Sequence, residues 1–461
     1  GRSMRWFPVG LSIMVTAFSA INYTAFSGEV FEHGLYVALS LPTFVLVAPV
    51  VTRVVMPFFH RMSLCTAYEY LERRFDGRVR SLASGLFILW RLLWMATLVY
   101  VPCRVLGLVT GLDTTTLILV GGVATTVYTL AGGMRAVIWT GVLQFGVIIG
   151  GLVLALWVAA GRADGGFVGM MQLGVDAGLA RPFYPFDPQM LSLDPRVRIT
   201  LWSALLGTFV AFVARYGCDQ VVVQRYFTAR SLRDAQLGFH ASYLAALTAL
   251  AALALLGYAI HAHVAASGMA ITGSRAMAGF AAFVRSLPAG LTGLIVAGLF
   301  AATMSSLDAG INSCAAAYLT DFHRRWWPTA PAQELRQGRL ASLLFGVAAT
   351  LGALEIGRLG SIFEIANRVI NGLGSPLLAI FLLALFSRRA NATGVLIGGL
   401  LGTAASVWVS FAGEDLALHY YAVLNLGVTL VPGYLFSLIE NRLSGPPSPG
   451  QLAWTWAGRR V

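Results

Sequence analysis

Uninterrupted apolar stretches, parted by short polar joints, recur along the whole chain. A helix crosses the hydrocarbon core of a bilayer with about 20 mostly apolar residues. Stretches of that kind lie at 7–26, 35–55, 82–101, 116–131, 137–160 and 199–217, then at 241–261, 291–319, 340–354, 362–386, 393–411 and 421–439. Strands of an outer-membrane barrel would be about ten residues long and strictly alternating; these runs are longer and uniformly apolar. The pattern predicts an all-α polytopic membrane protein of about 12 transmembrane helices.

Five runs precede the longest polar joint, and the next five form a second block. An odd number per block sends the two blocks into the membrane from opposite sides, the inverted-repeat design of many secondary transporters. The expected organisation is a first five-helix repeat over 1–160, an external loop over 161–198, a second five-helix repeat over 199–386, and two further helices with a cytoplasmic tail over 387–461. The halves share no convincing sequence identity, so the argument is topological. Pro182, Pro185, Pro188 and Pro195 give the long joint turn chemistry and predict a structured cap.

Composition agrees with lipid as the main solvent. Charged residues make up only 11% of the chain, against roughly 25% in a soluble domain. The 50 glycines suit close helix contacts in a membrane. The net charge of +12 comes from arginine, with no lysine. Alternating the runs puts Arg2, Arg5, the joint from Arg53 to Arg80, Arg135, the joint from Arg225 to Arg233, the joint from Arg324 to Arg339, and Arg388 with Arg389 on one side. That bias marks the side as cytoplasmic and speaks against a nucleic-acid partner. Cys65, Cys103, Cys218 and Cys314 have neither paired spacing nor a zinc pattern and read as small apolar fillers. No nucleophile–base pair appears, so no enzyme is expected. The opening Gly1-Arg2-Ser3 lacks an initiator Met and reads as a trimmed start or a fragment.

Seven motifs follow one another in order. Gly1-Arg2-Ser3-Met4-Arg5-Trp6 precedes the first run, and Ser19-Ala20 lies inside it. Glu69-Tyr70-Leu71-Glu72-Arg73-Arg74-Phe75 occupies the joint after the second, and Gly132-Gly133-Met134-Arg135-Ala136-Val137-Ile138-Trp139-Thr140 leads into the fifth. Asp219-Gln220 with Gln224-Arg225-Tyr226 follows the sixth. Ala301-Ala302-Thr303-Met304-Ser305-Ser306-Leu307-Asp308 with Asn312-Ser313 lies in the eighth, and Ser387-Arg388-Arg389-Ala390-Asn391 follows the tenth. Together they resemble the sodium/solute symporter family, LeuT-like transporters with a five-plus-five inverted repeat. The resemblance implies one further helix ahead of Gly1. It also implies a sodium ion between the eighth helix and backbone carbonyls at a break in the first, carried here onto Val15 and Phe18.

The eighth run supports this by itself. Ala302, Ser305 and Ser306 are spaced i, i+3, i+4 and share one helical face. Neutral hydroxyls and freed carbonyls suit a hard monovalent cation that must also be released. The plainer alternative is that both serines bond back to their own helix. Gly141 stands where the family often has Asp, which weakens a two-sodium stoichiometry. Asp308 is some 60° round from Ser305, at about 100° per residue, and reads as a compensating ligand or as a gate or packing carboxylate.

Charge at membrane depth marks candidates for the solute. Arg91 lies about ten residues into the third run, where an uncompensated Arg costs at least about 2.5 kcal/mol. It either takes a substrate carboxylate through its fork or forms an internal ion pair, with Glu364 as candidate partner. Glu364 and Arg368, four apart, could also neutralise each other. Ser19, Asn22, Tyr23, Asn367 and Asn371 add polar groups on the first and tenth runs.

The expected function is sodium-coupled symport of a small organic solute by alternating access, an organic anion being preferred because of Arg91. A proton-coupled or uncoupled carrier and a membrane solute sensor are the alternatives. Sodium is the co-transported ion, and solute and lipid bilayer are the other partners. The expected location is the bacterial inner (plasma) membrane. About 2.3 kcal/mol per charge from a 100 mV potential and about 1.4 kcal/mol from a tenfold sodium gradient would let one sodium sustain accumulation of several hundred-fold.

Overall fold

The computed structural model describes residues 4–62, 64–131, 134–181, 183–269, 275–327, 330–412 and 416–458. Among these the regular structure is helical, with two isolated β-bridges, Met4 to Ala229 and Phe183 to Phe186. Gly1–Ser3 and Gly132–Gly133 of the motifs fall outside the described residues, as do the side chains of Asn371 and of 134–143, which include the surroundings of Gly141.

Each of the 12 apolar runs falls on helix. The first covers α1 (Trp6–Ala17), a non-helical step and a π-helical turn, Asn22–Phe26, and leads on into α2 (Ser27–His33). Next come α3 (Leu35–His60), the short α4 (Glu69–Arg74), α5 (Gly77–Thr110), α6 (Thr114–Ala131) and α7 (Met134–Arg162). The long joint carries α8 (Gly166–Asp176), bent 84° from the end of α7. The second block holds α9 (Leu201–Gly217), α10 (Gln220–Thr228), α11 (Leu232–Ser267), α12 (Arg275–Ser286), α13 (Ala289–Trp326), α14 (Pro331–Ile356) and α15 (Ile362–Phe386). The chain continues through α16 (Ala392–Ala412) and α17 (Tyr420–Ser444). Eight of these helices are long and apolar enough to cross a bilayer alone, ten if each bent pair is one span; α1 and α6 are shorter apolar helices.

Two runs that pattern alone would draw as continuous helices are broken. At the first, Phe18 is extended, with φ −101° and ψ 123°. The amide of Ser19 donates to the side chain of Asn22 at 2.9 Å, a local bond of the kind that competes with helix. At the sixth, α9 stops at Gly217 and Asp219 caps α10 by accepting from the amide of Val221 at 3.0 Å. Pattern reading also passes over α12, which buries Met277, Phe280, Ala281 and Val284 along one stripe.

The broken helices sit in equivalent surroundings. α1 packs on α11 and α9 on α3; α7 packs on α13 and α5 on α15. Exchanging the two blocks maps each pair onto the other. Close approach depends on small residues: a Cβ on Gly10 of α1 would lie 2.6 Å from the carbonyl oxygen of Gly238 on α11. At the arginine-rich end, buried Asp321 of α13 takes Arg80 at 2.5 Å, Ser84 at 2.8 Å and Thr66 at 2.9 Å. Arg74 clasps the end of α15 through the carbonyls of Ala384, Ser387 and Ala390 at 2.8–3.2 Å.

Candidate functional site

The serine face of α13 meets the broken end of α1. Ala302 is fully buried, Ser305 and Ser306 nearly so, and the hydroxyl of Ser306 donates to the carbonyl of Thr16 at 3.4 Å. The hydroxyl therefore reaches across to α1, unlike the back-bonded alternative. In an uninterrupted helix the Ser19 amide would bond to the carbonyl of Val15; the Asn22 side chain takes it instead. Phe18, being extended, turns its own carbonyl out of the helical direction. The break thus opens backbone oxygens beside the hydroxyl of Ser306, the kind of oxygen ligand a hard cation takes. The contact found is to Thr16, one residue from the expected Val15.

Beside the break lies a cavity of about 170 Å³. Its polar wall is made by Asn22 from the π-helical turn, Ser40 of α3, Thr208 and Arg215 of α9, Asn367 of α15 and His419 ahead of α17. Trp94, Phe44, Phe212 and Phe363 supply much of the remainder. Asn22 faces both features, since its side-chain oxygen also accepts from the Ser19 amide and hydroxyl at 2.9 and 3.3 Å. Tyr23 ties the same turn to the carbonyl of Ile148 on α7.

Of the expected solute residues, Asn22 and Asn367 line this cavity, and Ser19 adjoins it through Asn22. Arg91 and Glu364 do not line it, nor do they meet each other. Arg91 lies against Asp219, both buried, with its Nε 3.1 Å from the carboxylate, and so pins the break of the sixth run to α5. Glu364 completes a reciprocal cap with Ser361 at the start of α15. Arg368 turns to the carbonyl of Leu359 at 3.5 Å rather than to Glu364. Asp308 accepts from the hydroxyl of Thr129 on α6, about one turn along α13 from the serines.

Arg215 carries its charge in the last turn of α9, near the end of the 199–217 run, where depth does not single it out as it does Arg91. His419 had no signal of its own. It reaches the cavity because Gly207 leaves room for it; a Cβ there would lie 2.0 Å from the His419 carbonyl oxygen. Above the cavity, at the end opposite the Asp321 cluster, Arg198 holds Glu29 of α2 through bonds of 2.7 and 2.9 Å. It also approaches Glu364 at 3.8 Å and lies over Phe363. Hydrogen bonding to Glu29 raises the pKa of the Arg198 guanidinium against the opposing effect of its burial.

A family model described as the sodium:solute symporter family matches residues 1–402. The chain belongs to that family. As a sodium:solute symporter it carries sodium and a small solute together by alternating access, and it is an integral membrane transporter rather than an enzyme. Among its relatives are the sodium-dependent multivitamin transporter of Oryctolagus cuniculus, 30% identical over 95% of this chain and 68% of the relative, and the sodium-coupled monocarboxylate transporter 1 of Homo sapiens, 28% identical over 90% and 68%. A solved Na⁺-coupled sialic acid symporter in a substrate-bound outward-open state superposes with a TM-score of 0.83, at 24% identity over 95% of this chain and 91% of that one. That likeness places this symporter in the same fold.

Proposed function

We propose that this symporter binds one sodium between Ala302, Ser305 and Ser306 of α13 and the carbonyls of Val15 and Phe18, and uses it to drive a small organic anion across a bacterial inner membrane. The observation that carries the reading is the meeting of Ser306 with the opened end of α1, where the Ser19 amide has been drawn away to Asn22. Sodium bound there bears on the break, and the break bears on the cavity through Asn22. Ser19, Asn22 and Asn367 serve the solute, while Arg91 and Glu364 act structurally. Asp308, bonded to α6, is a gating and packing carboxylate. The paired surroundings of the two broken helices support two inverted five-helix repeats over 1–160 and 199–386, with 161–198 as external loop and 387–461 as appended helices and tail. The anion is favoured by a cavity whose wall holds Arg215 and no carboxylate among its described residues. Two of the three relatives cited are also named for acids.

The test is uptake of labelled acids, sugars and amino acids by the reconstituted chain, with and without a sodium gradient. Sodium should stimulate entry of an acid, and Ser305→Ala with Ser306→Ala should abolish that stimulation. Uptake indifferent to sodium, or to the loss of both hydroxyls, would overturn the reading.

A further inference from the structure

We propose that the arginine-rich end of α14 holds an anionic phospholipid, its phosphate on Arg336 and Arg339 and an acyl chain in the aromatic groove between α5, α13 and α14. The site shares no lining residue with the solute cavity and lies apart from the serine face of α13.

Charge decides the headgroup. Most arginines around this end are already matched: Arg324 pairs with Glu334 at 2.8 Å, Arg325 with Glu72 at 3.3 Å, and Arg80 with Asp321. Arg336 and Arg339 meet no carboxylate among the described residues, and the hollow of about 910 Å³ that they line holds none. Both are exposed and three apart on α14, so they share one side of it. They stand just ahead of the 340–354 apolar run, where a helix meets the headgroup level of a bilayer. Two unmatched cations at that level attract an anionic lipid.

The neighbouring side of α14 decides the rest. Gln337 and Leu340 border both the basic hollow and an apolar groove of about 730 Å³. Leu89 of α5, Tyr318 and Trp326 of α13, Trp327 just after it, and Leu344 of α14 line that groove. Trp326, Trp327, Leu340 and Leu344 are each more than half exposed, so the groove lies open to the surrounding lipid. Tryptophans at this level sit with the ring in hydrocarbon and the N–H among headgroups. At roughly a water's share of 30 Å³ per group, the groove has room for on the order of 20 methylenes, the bulk of one acyl chain.

A zwitterionic lipid would fill the groove and bring no net charge to the arginines. Inorganic phosphate would answer the arginines and leave the groove bare. A phospholipid of net negative charge meets both, and the shared border at Gln337 and Leu340 lets one molecule reach from hollow to groove.

The full-length protein in phosphatidylcholine vesicles, with either brominated phosphatidylglycerol or brominated phosphatidylcholine added, tests this. Bromine on an acyl chain quenches the tryptophans it touches, and the quenching lost in Trp326→Phe with Trp327→Phe reports the groove. In that component the wild type should prefer phosphatidylglycerol by about 25-fold, about fivefold for each arginine. Arg336→Gln with Arg339→Gln should bring the two lipids within about threefold, and added salt should narrow the gap in the wild type. Arg388→Gln, at the same end but outside the hollow, should leave the preference within about twofold. The proposal is overturned if the two lipids quench alike, or if the preference survives loss of both arginines. It is overturned too if inorganic phosphate abolishes the preference at constant ionic strength, which marks a free-anion site. Should the double variant fail to fold, Arg339→Gln alone decides, with an expected fall of about fivefold.

Discussion

At Ser306 a single hydroxyl faces both the carbonyl of Thr16 and the space between α1 and α13. Replacing it with alanine should raise the sodium concentration for half-maximal uptake by about tenfold or more, the worth of one hydrogen-bonding group to a charged partner. Isotopic sodium binding measures this directly. Asn22→Ala should weaken sodium and solute together, because that side chain holds the break on one side and lines the cavity on the other; titrating each in the absence of the other separates the effects. The serine face was legible from spacing because three positions on one helix fix their own geometry. The role of Arg91 was legible only in part. Its depth announced a partner, but nothing local to either residue could name Asp219, which lies 128 positions away. The same limit hid His419, whose place depends on the absence of a side chain at Gly207.

Among elements, the runs were readable because apolar length is a property of the segment alone. Apolar length shows neither break, though the family resemblance implies the first, since both depend on side-chain bonds, from Asn22 in one and Asp219 in the other, that hydropathy does not register. The α1–α11 contact depends on Gly10 and Gly238. Gly10→Leu should cost about 1–3 kcal/mol through overpacking, read as a lower unfolding temperature in detergent; Gly290→Leu, with open space around its Cβ position, should not. The Arg198–Glu29 pair joins α2 to the joint ahead of α9, with Glu364 of α15 close by. Only Arg198 is partly exposed and Glu29 is buried, so removing Arg198 leaves a buried carboxylate without its main partner and should show in conformation. In a Cys65→Ser, Ser40→Cys background, Arg198→Ala should increase labelling of the cavity cysteine by an impermeant maleimide several-fold without sodium.

For the molecule as a whole, the charge of the solute changes what one sodium can do. A sodium ion moving with a singly charged organic anion carries no net charge, so the membrane potential does no work on the pair. A tenfold sodium gradient then sustains only about tenfold accumulation, and the several-hundred-fold expectation applies to uncharged solutes. Uptake of such an anion should therefore be insensitive to a potassium diffusion potential set with valinomycin; a potential-dependent rate would require a second cation per cycle. The buried pair of Arg91 and Asp219 has a different kind of consequence, for how the protein is made. Arg91 leaves the ribosome well before its counter-ion exists, and alone in the hydrocarbon it costs at least about 2.5 kcal/mol. The third helix can settle only when the sixth arrives. Nascent chains halted before Cys218, though anchored by their other spans, should therefore leave the third helix open to proteolysis, while chains reaching past Thr228 should not. A charge pair that looks like a static brace thus acts during synthesis as a checkpoint that both halves have been inserted.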